Sequence, residues 1–207
     1  MSNDKPLYYF AYGSNLSTTQ MEQRCPSSRP VGLAFLRDYT FIINGRGYAN
    51  VVQNGADDVA NDAGVYGVVY KISPEDEASL DRYEGVPYAY TKEYMLVDFV
   101  KLDCREAGRG FFTPHAAADE SEDAGDIDGR RILKRDRVLV YIDRERTSPG
   151  PPNAEYVDRM SRGVEEASAR LGLAEAYVTG TIGRWIPGLK IPTAFAAAAE
   201  DLSSSAS

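Results

Sequence analysis

Two places in the chain combine residue types and spacing that could do chemistry. The first is Tyr12-Gly13-Ser14-Asn15-Leu16, between an apolar run and a stretch suited to a helix. A glycine and an asparagine in so short a turn accept dihedrals closed to most side chains, so consecutive backbone N–H groups can converge, and the following helix adds its positive end. Such a turn can bind a carboxylate or a phosphate; it can equally be a plain structural corner. The second place is Glu84, within Leu80-Asp81-Arg82-Tyr83-Glu84-Gly85-Val86-Pro87. A carboxylate at the end of a helix lies at the negative pole of the dipole, which favours its protonated form and raises its pKa. That suits proton transfer; the alternative is an exposed glutamate at a helix end.

Other chemistries have little to build on. His115 is the single histidine, so Ser-His-Asp or Cys-His catalysis and histidine-based zinc binding would all depend on it, and its setting, Phe111 to Ala116, reads as loop. Cys25 and Cys104 are too few for a disulfide scaffold and do not form a Cys-x-x-Cys pair, which fits a reduced compartment. Carboxylates, backbone amides and hydroxyls are left to carry any reaction.

The elements that must position these residues are legible in the apolar pattern. Leu7 to Ala11 reads as a buried strand, Gly13 and Asn15 break it, and Ser17, Thr18 or Thr19 can cap a short helix that stops before Pro26. Leu33–Phe35, Tyr39–Ile43 and Asn50–Val52 read as antiparallel strands. Gly64 to Ile72 is the strongest strand signal, and its glycines at 64 and 67 predict a sharply bent, barrel-like sheet with close backbone approach. Ser73-Pro74-Glu75-Asp76 is a helix start, Gly85 a helix stop, and the helix between them runs over about 74–83. Tyr90 to Asp103 is largely apolar on both faces, as in a mostly buried strand. Ile132 to Asp143 returns to strand. After the stiff Ser148-Pro149-Gly150-Pro151-Pro152 connector, Asn153 is placed to cap a long helix closed by Gly172, with Tyr156, Val157, Met160, Val164, Ala167 and Leu171 as a core stripe.

At 207 residues, 43% of them hydrophobic, the chain can bury one substantial core. We expect a single domain over 1–193 and a flexible tail over 194–207. Asp and Glu outnumber Lys and Arg by 31 to 23, for a formal charge of −8, which argues against a nucleic-acid partner. Six acids and no bases fall between Ala116 and Gly129, so 106–131 reads as a solvated acidic insertion. No apolar run approaches the roughly 18–20 residues of a bilayer span, and the first residues do not resemble a signal peptide. A cytoplasmic protein without a membrane partner is expected.

Taken together, Tyr9-Phe10-Ala11-Tyr12-Gly13-Ser14-Asn15-Leu16, Val65-Tyr66-Gly67-Val68-Val69-Tyr70, and Leu80-Asp81 to Glu84-Gly85-Val86 with Tyr90 resemble the γ-glutamylcyclotransferase family. The similarity runs in order from about residue 7 to 172. It implies an α+β fold, a small mixed or antiparallel β-barrel flanked by helices. It also implies an enzyme that closes a γ-glutamyl amide to 5-oxoproline and releases an amine or amino acid, with no metal, nucleotide or other cofactor. By this resemblance Glu84 is the general acid/base, and Tyr12, Gly13, Ser14, Asn15 and Leu16 line the loop that grips the glutamyl moiety. Tyr90 matches a family tyrosine that orients substrate, with one residue less between it and the glutamate; a buried packing aromatic is its other reading. The family often pairs as homodimers, and some relatives act on glutathione adducts in secondary-metabolite pathways. Arg46, Tyr48, Tyr88, Arg144 and Arg146 depart from the family pattern and suggest an enlarged or aromatic leaving group. A binding protein for γ-glutamyl or other carboxylate ligands, with the pocket but no turnover, is the competing reading.

Overall fold

The computed structural model describes residues 6–55, 64–100, 126–127 and 130–193. Strand β1 (Leu7–Ala11) ends in a 3-10 turn, Ser14–Leu16, followed by helix α1 (Thr18–Arg24), which Ser17 caps by accepting from the Gln20 amide. Then come β2 (Arg29–Arg37), the hairpin β3 (Tyr39–Ile43) and β4 (Ala49–Gln53), and β5 (Gly64–Ile72). Helix α2 (Pro74–Glu84) opens on a reciprocal capping box between Ser73 and Asp76 and closes at Gly85, whose φ of 65° only glycine adopts without strain. Strands β6 (Thr91–Val100), β7 (Asp126–Ile127) and β8 (Arg130–Ile142) precede the long helix α3 (Ala154–Leu171). Two short helices, α4 (Glu175–Tyr177) and α5 (Gly183–Trp185), flank a π turn at Val178–Ile182.

Six strands form one sheet in the order β1-β5-β2-β6-β8-β7. Apart from one contact they are antiparallel, with Tyr9 opposite Tyr70 and Tyr94 opposite Leu139. The exception makes the sheet curl: β1 also meets β8 in parallel at Tyr9–Leu139. The strands expected from the apolar runs are present, and the fold is α+β, a curled mixed sheet flanked by helices. The bend runs through Gly67, where a Cβ would stand 2.6 Å from Cζ of Phe10 and 2.7 Å from the Ala11 carbonyl oxygen. Only a residue without a side chain lets β5 pass that close to β1. Phe10, Leu16, Met21, Leu33, Val68, Leu139 and Met160 fill the interior with no exposed surface.

Two expectations change. The first half of β6 is not buried on both faces: Tyr94 and Leu96 are 52% and 54% exposed, because no described residue covers that side. The Asn153 side chain does not cap α3; its Nδ2 donates to the Arg46 carbonyl at 2.9 Å, tying the helix start to the β3–β4 hairpin. Cys25 is a buried structural thiol whose Sγ donates to the Asp76 carbonyl, and burial pushes its pKa up to about 12. No described helix is long and apolar enough to cross a membrane. Cys104, His115, most of the acidic stretch and the tail from 194 lie outside the described residues.

Candidate active site

The curl of the sheet sets the end of β1, the end of α2 and the first turns of α3 around one cleft of about 220 Å³. The turn 12–16 and Glu84, far apart in sequence, share it, and the joint between them is Asn15. Its Nδ2 donates to Oε1 of Glu84 at 3.1 Å and to the Tyr9 hydroxyl at 2.9 Å. Its Oδ1 accepts from Gln20 Nε2 at 2.8 Å and from Arg24 Nη1 at 3.0 Å. Both amide hydrogens and both lone pairs are therefore committed. Arginine can only donate, so Oδ1 must face Arg24 and Nδ2 must face the carboxylate. The arrangement leaves Asn15 a single orientation, and Glu84 is held by it.

Glu84 itself ends α2, as expected, and lines the cleft. Its pKa is raised, with burial of the carboxyl as the largest cause. Arg24, Arg159, the Asn15 hydrogen bond and Arg46 pull in the opposite direction without cancelling it. The direction is the one expected from the sequence; the leading cause is desolvation, not the helix pole. The residue as a whole is only partly covered, because it faces the open cleft.

The turn is fixed from two sides. Tyr12 donates to the Tyr141 carbonyl at 2.6 Å, and the Ser14 amide donates to the Tyr156 hydroxyl at 3.2 Å. The Ser14 hydroxyl accepts from Arg159 Nη2 at 2.7 Å. Gly13 has no room for a side chain: a Cβ would stand 2.8 Å from the Tyr156 hydroxyl. The amides of Leu16 and Ser17 are used within the turn, on the carbonyls of Gly13 and Ser14. Gly13 and Asn15 line the cleft, where backbone N–H groups of such a turn can meet a ligand anion.

Leu16 does not reach the cleft. It is completely buried against α3, where a Cβ on Gly163 would lie 3.1 Å from its own, so it anchors the loop and cannot touch a ligand in it. Tyr90 lines the cleft, buried, with its hydroxyl donating to the Ala49 carbonyl at 2.7 Å. Of the residues that departed from the family pattern, Arg46 and Tyr48 line the cleft. Tyr88 is 87% exposed outside it, Arg144 pairs with Glu93, and Arg146 pairs with Asp143.

Sequence reasoning missed Tyr9, Arg24, Tyr83, Tyr141, Tyr156 and Arg159. Tyr156 stands in the stripe read as core and is indeed buried, but its hydroxyl reaches the turn. The available signal was a pair of polar tips, Tyr156 and Arg159, one helical turn apart beside an apolar stripe. Among the described residues no three of His, Cys, Asp and Glu gather as a metal-ligand set.

The sequence profile described as gamma-glutamyl cyclotransferase, AIG2-like, matches residues 9–126, which include the turn, Asn15, Glu84 and Tyr90. A Homo sapiens protein named gamma-glutamylcyclotransferase is 32% identical over 94 residues, 41% of this chain and 47% of its own length. A Bos taurus protein of the same name is 33% identical over 88 residues, 38% and 44% of the two chains. The chain thus spans about half the length of these relatives. Two solved structures share the fold at 22% identity. One, named gamma-glutamyl cyclotransferase, superposes with a TM-score of 0.54 over 78% of this chain and 80% of that one. The other, an uncharacterized protein from Homo sapiens, gives 0.57 over 84% and 85%.

Proposed function

The chain belongs to the gamma-glutamyl cyclotransferase, AIG2-like family, and from that premise we propose that it closes a γ-glutamyl amide onto its own α-amine, releasing 5-oxoproline and an amine or amino acid. The substrate's α-ammonium has no lone pair and cannot attack. Glu84, ionised, takes one of its protons; the freed nitrogen bonds to the γ-carbonyl carbon, whose oxygen takes up the carbonyl electron pair; Glu84 passes the proton to the departing nitrogen, the old C–N bond breaks as the carbonyl re-forms, and the second proton of the attacking nitrogen goes to the freed amine, which leaves as an ammonium. One carboxylate serves both steps because the two nitrogens end on the same carbon. A carboxyl whose pKa is raised by burial is a stronger base than an ordinary glutamate and still gives the proton back.

The positional part falls to the turn. The glutamyl chain is flexible, and cyclisation requires its amine and γ-carbonyl to meet. The Gly13 and Asn15 amides fit the substrate's α-carboxylate, which would hold the head folded beside Glu84. The observation that carries this reading is the 3.1 Å hydrogen bond from Asn15 to Glu84, which joins the anion-binding turn to the proton carrier in one cleft. The test is to incubate the protein with γ-glutamyl-alanine and measure 5-oxoproline and free alanine, which should appear in equal amounts. Saturable binding by calorimetry with no product over hours would make the protein a binding module and end the proposal. Adducts of glutathione carry the same γ-glutamyl head, so an enlarged leaving group is compatible with the turn and would be settled by the same assay run on such adducts.

A further inference from the structure

Three arginines line the cleft around a single Glu84, and they are not equivalent. Arg159 is engaged: it donates to Ser14 Oγ and Gln20 Oε1 and lies 3.4 Å from Glu155. Arg46 is engaged too, donating to the Ala89 carbonyl and lying 3.8 Å from the buried Asp143. Arg24 differs. Among the described residues its guanidinium makes one hydrogen bond, to Asn15 Oδ1 at 3.0 Å, and forms no ion pair. Its plane is held over the ring of Tyr83 at 4.5 Å, a contact that steadies the group from its face and leaves the donor edge open. Tyr83 lines the cleft and is 57% exposed, so the pair lies on its solvent-facing side.

Resting on the reading above, we propose that Arg24, steadied by Tyr83, is the residue that binds a carboxylate on the leaving amine. Arg24 and Glu84 sit on the two ends of the same Asn15 amide, at 3.0 and 3.1 Å. A leaving amino acid carries its nitrogen and its carboxylate on one carbon, so hydrogen bonds of about 3 Å at each end let it bridge the two side chains. The nitrogen then faces the proton that Glu84 returns, and the carboxylate meets the fork of five donors of which one is taken. The head carboxylate is served separately by the turn, on the side where Ser14, Tyr156 and Arg159 meet.

The test compares γ-glutamyl-alanine with γ-glutamyl-ethylamine, which lacks only the leaving-group carboxylate. The wild type should favour the first in kcat/KM by at least about tenfold, the size of one charge-assisted bidentate contact. That preference should shrink as salt is raised. In Arg24→Gln the ratio of the two kcat/KM values should collapse toward one, while Arg24→Lys keeps part of it. A wild type with no preference, or an Arg24→Gln ratio within about twofold of the wild-type ratio, overturns the subsite. Failure of both substrates to yield 5-oxoproline would instead strike the underlying reaction. The salt dependence needs no variant, so a poorly folding Arg24→Gln leaves the proposal exposed to refutation.

Discussion

At the residue scale, the raised pKa of Glu84 costs the fold stability. Burial raises its pKa, so the folded protein holds that proton to higher pH than the unfolded chain does. The sign follows from linkage: where the folded state binds more protons, stability falls as pH rises. The loss accrues between the ordinary carboxylate range and the raised value. Glu84→Gln removes the titration and keeps an oxygen for the Asn15 amide. Its thermal midpoint should therefore exceed that of the wild type at pH 7, and the difference should shrink or vanish near pH 4, read by calorimetric scans at both. Glu84 itself was legible as a candidate, since its place before a glycine stop is a local feature. Arg24, Arg159 and Tyr156 were not, because nothing near them in sequence marks them; they become site residues only when α1 and α3 are packed beside the turn.

At the element scale, α3 does more than cover the sheet. Glu166 accepts from the hydroxyls of Ser17 and Thr18 and from the Thr19 amide, so a carboxylate of α3 caps the start of α1 just beyond the site turn. Burial pushes its pKa up, but the hydrogen bonds from Thr19, Thr18 and Ser17 outweigh it and hold the carboxyl below the usual range. A lowered folded pKa stabilises the protein above the unfolded value and is lost as pH falls through the folded one. Glu166→Ala should lower stability at neutral pH by roughly 1–2 kcal/mol. Denaturant titrations at pH 7 and at pH 3.5 should show the full deficit at the first and a smaller one at the second. The strands and helices themselves were readable because each has a local cause: an apolar run, a capping serine, a glycine stop. β6 misled for the same reason, since Tyr94 and Leu96 look like core until it is seen that no described element covers them.

At the scale of the whole molecule, curvature makes the site. β1 meets β5 on one side and β8 on the other, and that closure brings residue 15 to residue 84 and residue 14 to residues 156 and 159. No periodicity in the sequence encodes those pairings, although Gly67 marks where the bend occurs. The result is a cleft lined by three arginines and one glutamate in a chain of net charge −8. The account rests on one carboxyl carrying a proton between two nitrogens of a molecule held by the neighbouring turn. Its most direct test is Glu84→Gln with γ-glutamyl-alanine, measuring binding by calorimetry and 5-oxoproline by product assay. We predict that binding persists while turnover drops at least about a hundredfold; turnover at the wild-type rate would contradict the account.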